Sequence, residues 1–508
     1  MKLTTAAALL ALSPLTEATK PPKLNDIAYA NGGNRAFGLP GYAASVDFIY
    51  HEISKLKGFK TWKQDFPANF TQTLTAEVTV DDETFRTVAL TYTPSTSEDG
   101  VTAELVHGPE GEAACDAANY EGLDVEGKVV LVERGLCPDG TTFAGKVKPA
   151  AAAGAQVVVI YNSDEAKLTA GTLSAPNPKE YVPTGLIDQD PGQALKARLD
   201  AGEKLEVFVK IIQTIETRVT QNVFAETKGG DGENVVMLGA HLDSVQAGPG
   251  INDDGSGTSL ILETAKGLQH FSTKLKIRFG WWGAEENGLV GSRYYVNNLK
   301  TTDVDDLLAY LNFDMVSRGF FGVFDGTGEK VGPGGPPGSE VIEDLFREFF
   351  EKEKIEVTPV GLTGGTDYVP FREVIKKPVG GLFTGTGLEQ DACYHQACDN
   401  ITNPVPETLH INAKAAAHVL SKLAIDGVKL IPKTPSNTTV GSIKRIRIQD
   451  SADRVGCYRY CAMRALIMSL TQNIDTTLFD RDRASEVANT GRSGSVAVSS
   501  SALSRHPA

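Results

Sequence analysis

Three apolar runs of strand character each lead into a residue that can bind a cation, and this pattern limits the folds open to the chain. Val235 to Ala240 runs into His241, and Leu307 to Phe313 runs into Asp314. Between them, Leu275 to Phe279 continues through Gly280-Trp281-Trp282-Gly283-Ala284 into Glu285-Glu286. In open α/β sheets, ligands bind just beyond the carboxyl ends of the strands. Helical patterns such as Thr258 to Phe271 separate the runs, and strand and helix patterns alternate from about Glu216 to Leu430. That alternation predicts an α/β fold, a central mixed and largely parallel β-sheet flanked by helices, with its chemistry along one edge.

Each polar group at that edge also has a plainer reading. His241-Leu242-Asp243 has the strand spacing at which both polar side chains point the same way. Asp243 can then accept a hydrogen bond from one ring nitrogen while the other binds metal, although a lone His at a strand end is more often structural. Asp253-Asp254 lies within the glycine-rich segment Pro249 to Gly257, which opens a helix, so helix capping competes with ligation. Adjacent carboxylates such as Glu285-Glu286 repel unless a cation binds one and the other has a distinct environment; alone they read as a solvated charge pair. In Cys393-Tyr394-His395-Gln396-Ala397-Cys398 a disulfide would hold His395 rigidly. The rival, a structural Cys/His zinc site, needs four closed ligands, and oxidation would consume the thiols. Taken together, His241, Asp253, Glu286, Asp314 and His395 suit two zinc ions (Zn2+) sharing a bridging carboxylate, with positions left for water and substrate.

The rest of the chain sets the organisation. Lys2, the apolar stretch Thr4 to Leu12 and Thr16-Glu17-Ala18 read as a signal peptide over residues 1–18. The sequons at Asn69, Asn400 and Asn437 and the cysteine usage fit an exported, glycosylated, disulfide-bonded protein. Secretion is expected, with the vacuole as the alternative. Cysteine placement predicts the disulfides Cys115–Cys137 and Cys393–Cys398. Composition shifts suggest a first segment over 19–92, an insert over 93–212 and a main segment over 213–431. A linker and disordered tail over 432–508, with Cys457 and Cys461, would follow. A net charge of −15 disfavours nucleic acid as a partner. No run approaches the about 18 apolar residues of a membrane span, and a monomer is expected.

The stretches Gly239 to Ser244, Gly248 to Gly257, Trp281 to Ser292, Asn312 to Met315, Thr366 to Phe371, Gly380 to Gly385 and Cys393 to Asp399 resemble, as an ordered set, the M28 family of zinc peptidases. Within that family they are most similar to the fungal secreted leucine aminopeptidases and vacuolar aminopeptidase Y. The resemblance covers roughly residues 20 to 430. It implies a di-zinc aminopeptidase acting on peptides with a free N-terminus. His241 and Asp314 would hold one zinc, Glu286 and His395 the other, and Asp253 would bridge. Glu285 would be the general base, Tyr394 the oxyanion donor and Asp243 the partner of His241, with a cis Asp253-Asp254 peptide bond. Phe383, Tyr368 and Phe371 would line an apolar pocket or belong to the core. Val132 to Cys137 and Lys146 to Asn162 resemble a protease-associated (PA) domain, a small mainly-β insert. Two departures are Gly365-Thr366 where many relatives have Ser before the Asp, and Phe143 standing well after Cys137. Carboxypeptidases and glutaminyl cyclases share the scaffold, and a non-catalytic PA-domain receptor or sorting protein is the alternative outside enzymes.

Overall fold

The computed structural model describes residues 24–433. The expected signal peptide, Asn437, Cys457, Cys461 and all but the first two residues of the expected tail lie outside the described residues.

β9 (Asp231–His241), β10 (Leu275–Trp282), β11 (Leu307–Phe313) and β14 (Val379–Phe383) form the middle of the sheet in the order β14-β11-β9-β10, all parallel. β11 is buried at every residue, and a strand covered on both faces needs such an unbroken apolar run. The register sets Trp282 opposite His241 and Asn312 opposite Gly239. The three strands therefore end together, and the residues that follow them share one edge. β12 (Gly322–Phe324) and β13 (Thr358–Val360) extend the sheet past β14.

Trp281 and Trp282 show how the two faces are covered, because consecutive strand residues point to opposite sides. Trp281 Nε1 donates to the carbonyl of Thr258 at 3.2 Å, in α5 (Gly255–Leu268). Trp282 Nε1 donates to Tyr310 Oη at 2.8 Å, and its ring packs on Tyr295 of α6 (Val290–Asn297) and Phe371 of α9 (Tyr368–Glu373). Alongside α5 lie α2 (Pro40–Ser54) and α11 (Pro406–Leu430), and α8 (Ser339–Glu353) packs against α11 and β14. α2 starts on Pro40, which is pre-set for a first helical turn, and buries Tyr42, Val46, Ile49 and Ile53 at helical spacing. α11 buries an alanine-rich face, and a Cβ added at Gly427 would stand 2.7 Å from Leu275 Cδ1. Small residues let this helix sit close on the sheet. None of the described helices is long and apolar enough to cross a membrane.

The other edge is built by a long ribbon. β1 (Phe59–Val80) and β8 (Leu205–Thr227) pair antiparallel from Phe59↔Thr227 to Val80↔Val207, with a bulge between Thr73 and Thr75. One end of β8 pairs with β10 and the other with β4 (Val101–His107). From β4 the parallel strands β5 (Val129–Glu133), β6 (Val157–Tyr161) and β7 (Thr184–Ile187) follow, closed by β3 (Thr87–Ala89). α3 (Ala144–Ala152) packs Val147 and Ala150 onto Val130, Val158 and Ile160. The Cys115–Cys137 disulfide is formed here. A single sheet thus runs through both halves of the described chain, and the expected boundary at 212/213 falls inside β8.

Candidate metal centre

His241 ends β9, Glu285 and Glu286 follow β10, and Asp314 follows β11. Asp253 lies on the turn before α5, and the Asp253-Asp254 peptide bond is cis. His395 comes from the distant Cys393–Cys398 loop, whose disulfide is formed and in which His395 adopts φ 57°. All six side chains meet. His241 Nε2 lies 2.9 Å from Asp253 Oδ1 and 3.5 Å from Asp314 Oδ1. His395 Nε2 lies 3.1 Å from Asp253 Oδ2 and 3.1 Å from Glu286 Oε2. Glu285 Oε2 stands 4.0 Å from His241 Nε2. Asp253 is therefore the one side chain shared by both histidines.

The segments that carry these side chains are fixed by neighbours that ordinary sequence patterns do not announce. Asp254 caps α5 through Gly257 N–H at 2.7 Å and also accepts from His241 N–H and Met315 N–H, joining β9, β11 and α5. Capping thus belongs to Asp254, and Asp253 is left to face the histidines. Asp243 departs from the simple expectation: its carboxylate is 3.7 Å from His241 Nδ1, too far for a hydrogen bond. Its carbonyl faces Nδ1 at 3.2 Å instead, and its carboxylate accepts from the N–H groups of Glu285 at 3.1 Å and Glu286 at 3.3 Å. Asp399 accepts from Asn252 N–H at 2.8 Å and Asp253 N–H at 3.0 Å, and Asn403 joins Asp399 to Asp391. Arg35, fully buried, donates to the carbonyls of Leu242, Pro249 and Gly250. It clamps the loop between His241 and Asp253 from a point some two hundred residues away in sequence.

The electrostatics favour a cation. Burial, reinforced by Asp367, Glu286 and Asp314 and opposed by His241, holds the Glu285 carboxyl well above its ordinary range. Burial and Asp253 raise Glu286 against the pull of His395. Burial disfavours a charged His395, yet Glu286 and Asp253 push it up to about 10; the same contest, with Glu285 and Asp314, raises His241. Protons on these imidazoles balance the carboxylates, and a divalent cation would do so in their place. Asp314 Oδ1 and Glu286 Oε1 are buried without a hydrogen-bond partner, a costly state unless something else pairs with them. His241, Asp253 and Asp314 form one three-donor group and Asp253, Glu286 and His395 a second, each with its donor atoms within 4.8 Å of one another. Nitrogen and carboxylate donors in threes fit zinc with a position left open.

Tyr394 stacks on His395 with ring centroids 3.8 Å apart and also packs against the core of the insert. Burial, then Asp253 and the glutamates, keep its phenol neutral and able to donate. The centre forms the floor of a cleft of about 840 Å³. Tyr368 and Phe383 line it, whereas Phe371 stacks on Tyr310 at 3.9 Å within the core. Thr142, Phe143 and Thr172 of the insert line the facing wall. Nothing in the sequence pattern reveals that wall, since it depends on how the ribbon folds back.

Residues 222–420 match peptidase family M28, and residues 101–195 match the PA domain. Leucine aminopeptidase 2 of Trichophyton rubrum is 38% identical over 423 residues, which are 79% of this chain and 82% of the relative. The aminopeptidase of Aneurinibacillus sp. strain AM-1 superposes with a TM-score of 0.64 at 28% identity, covering 79% of this chain and 92% of its own. BSAP, a zinc aminopeptidase from Bacillus subtilis, gives 0.60 at 26% identity, covering 80% and 94%. The strand-end constellation and the sequence agree: the chain belongs to peptidase family M28 and carries a PA domain within it.

Proposed function

We propose that this protein is a secreted, monomeric aminopeptidase with two zinc ions, held by His241 and Asp314 on one side, Glu286 and His395 on the other, and bridged by Asp253. The observation that carries the reading is Asp253 itself, with one oxygen 2.9 Å from His241 and the other 3.1 Å from His395. Zinc held there would supply Lewis acidity and would make a water easier to deprotonate. Glu285, beside both groups and unburdened by a histidine contact shorter than 4.0 Å, takes a proton from the attacking water and returns it to the leaving amine. Tyr394 donates its phenolic proton in a hydrogen bond to the oxyanion. A floor so rich in carboxylates attracts the substrate's free ammonium group, which makes the cut an N-terminal one. The name of the Trichophyton relative, together with the apolar wall of Tyr368 and Phe383, supports a bulky apolar first residue such as leucine. Both disulfides and the signal-like N-terminus support export. The PA insert, proposed over 93–212, forms the second wall of the cleft.

Metal analysis of dialysed, active protein should find about two zinc ions per chain. A chelator should abolish hydrolysis of leucine p-nitroanilide, added zinc should restore it, and N-acetylated peptides should resist cleavage. Full activity with one tightly held ion would overturn the two-metal reading, and cleavage of blocked peptides would overturn the exopeptidase reading.

A further inference from the structure

The charged lining of the cleft is divided. Asp253, Glu285, Glu286 and Asp314 lie at the floor with the two histidines, and the arginines that line the cleft are Arg134 and Arg293. Arg134 is engaged within the insert: it donates to Asn162 Oδ1 at 3.2 Å, stands 3.8 Å from Asp164 and rests on the Phe143 ring. Arg293 differs. It is half-buried on α6, the helix that follows the Glu285-Glu286 loop, and its guanidinium makes no hydrogen bond or ion pair among the described residues. A partly desolvated cation without a partner is unfavourable on its own and suited to an arriving anion. The insert closes in on the loop that leads into α6, since a Cβ at Gly288 would stand 2.3 Å from the carbonyl oxygen of Ser174.

The substrate implied above supplies such an anion. With the ammonium group at the carboxylate floor, the remainder of a peptide runs along the cleft. A cleft of about 840 Å³ lies within the roughly 300–1,000 Å³ of sites that enclose small ligands, so a di- or tripeptide ends inside it. The C-terminal carboxylate is the anion every such peptide carries, and the guanidinium fork binds carboxylates through paired hydrogen bonds.

We propose that Arg293 is a carboxylate subsite that receives the free C-terminus of short peptide substrates. The proposal rests on the aminopeptidase reading and adds a length and end-group preference to it. The test compares wild type, Arg293→Met and Arg293→Lys on Leu-Ala, Leu-Ala-amide, Leu-Glu-amide and leucine p-nitroanilide. In wild type, kcat/KM for Leu-Ala should exceed that for Leu-Ala-amide by about tenfold or more, the scale of a charge-assisted hydrogen bond. In Arg293→Met that ratio should fall to near one, chiefly through KM, with partial recovery in Arg293→Lys. An equal loss on all four substrates would make Arg293 structural and overturn the proposal. A loss confined to Leu-Glu-amide would assign the subsite to acidic side chains and overturn the C-terminal assignment. Absence of activity on every substrate in wild type with zinc would instead overturn the aminopeptidase reading.

Discussion

Glu285 and Glu286 are neighbours in the chain, yet the fold gives them different company. Glu286 meets His395 at 3.1 Å, while Glu285 approaches only His241, at 4.0 Å. Asp243 holds both by their backbone N–H groups, so neither can drift independently. If Glu286 is a ligand, Glu286→Ala should lose a zinc ion in metal analysis. If Glu285 carries the proton, the nearly isosteric Glu285→Gln should keep two zinc ions and KM while kcat falls by roughly a hundredfold or more. Retained turnover in that variant would mean another group is the base. The proposed ligands were legible because His241, Glu286 and Asp314 end or follow strand-like runs, Asp253 precedes a helix and His395 lies between two cysteines; Arg35 was not, because nothing in its local sequence points at the loop it holds. Arg35→Met would leave the carbonyls of Leu242, Pro249 and Gly250 unpaired in the interior. A loss of about 3–5 kcal/mol in urea unfolding is expected, the scale for breaking a buried charged network.

Two elements of similar chemistry differ in what they brace. Cys115 and Cys137 are 22 residues apart and Cys393 and Cys398 only 5. Loop-closure entropy then assigns about 3 kcal/mol to the first disulfide and about 2 kcal/mol to the second. Stability and activity should therefore rank the two in opposite order. Replacing both cysteines of the longer loop by serine should lower the melting temperature more. Replacing Cys393 and Cys398 should cost more zinc and more activity, because Tyr394 and His395 lie between them. The cysteine pairing could be read from placement, as could α2, α5 and β9 to β11, where one face or both must be apolar. The ribbon could not. Of β1 only its end, Thr75 to Val80, shows an alternating pattern; its middle, with exposed Gln72 opposite exposed Thr214 and exposed Leu74 in the bulge, has no continuous core face to impose a period. The insert's wall of the cleft was hidden for the same reason.

At the scale of the whole molecule, the centre is where separate parts of the described chain are tied together. β9, β10, β11, the turn before α5 and the Cys393–Cys398 loop each contribute a charged group to it, and Tyr394 links that loop to the core of the insert. Every proposed ligand lies within the described residues 24–433, as does all of α11. Truncation after Val440 should therefore leave kcat/KM nearly unchanged, measured on leucine p-nitroanilide. Removing metal should do the reverse, because the buried carboxylates then face one another with only imidazole protons between them. A ligand present at about 100 times its dissociation constant stabilises the native state by about 2.7 kcal/mol, and two zinc ions should exceed that. Chelation should lower the melting temperature by several degrees in full-length and truncated protein alike, and zinc should restore it in both. An unchanged melting temperature in metal-free protein would show that the carboxylate floor holds itself together, and the zinc assignment would lose its physical basis.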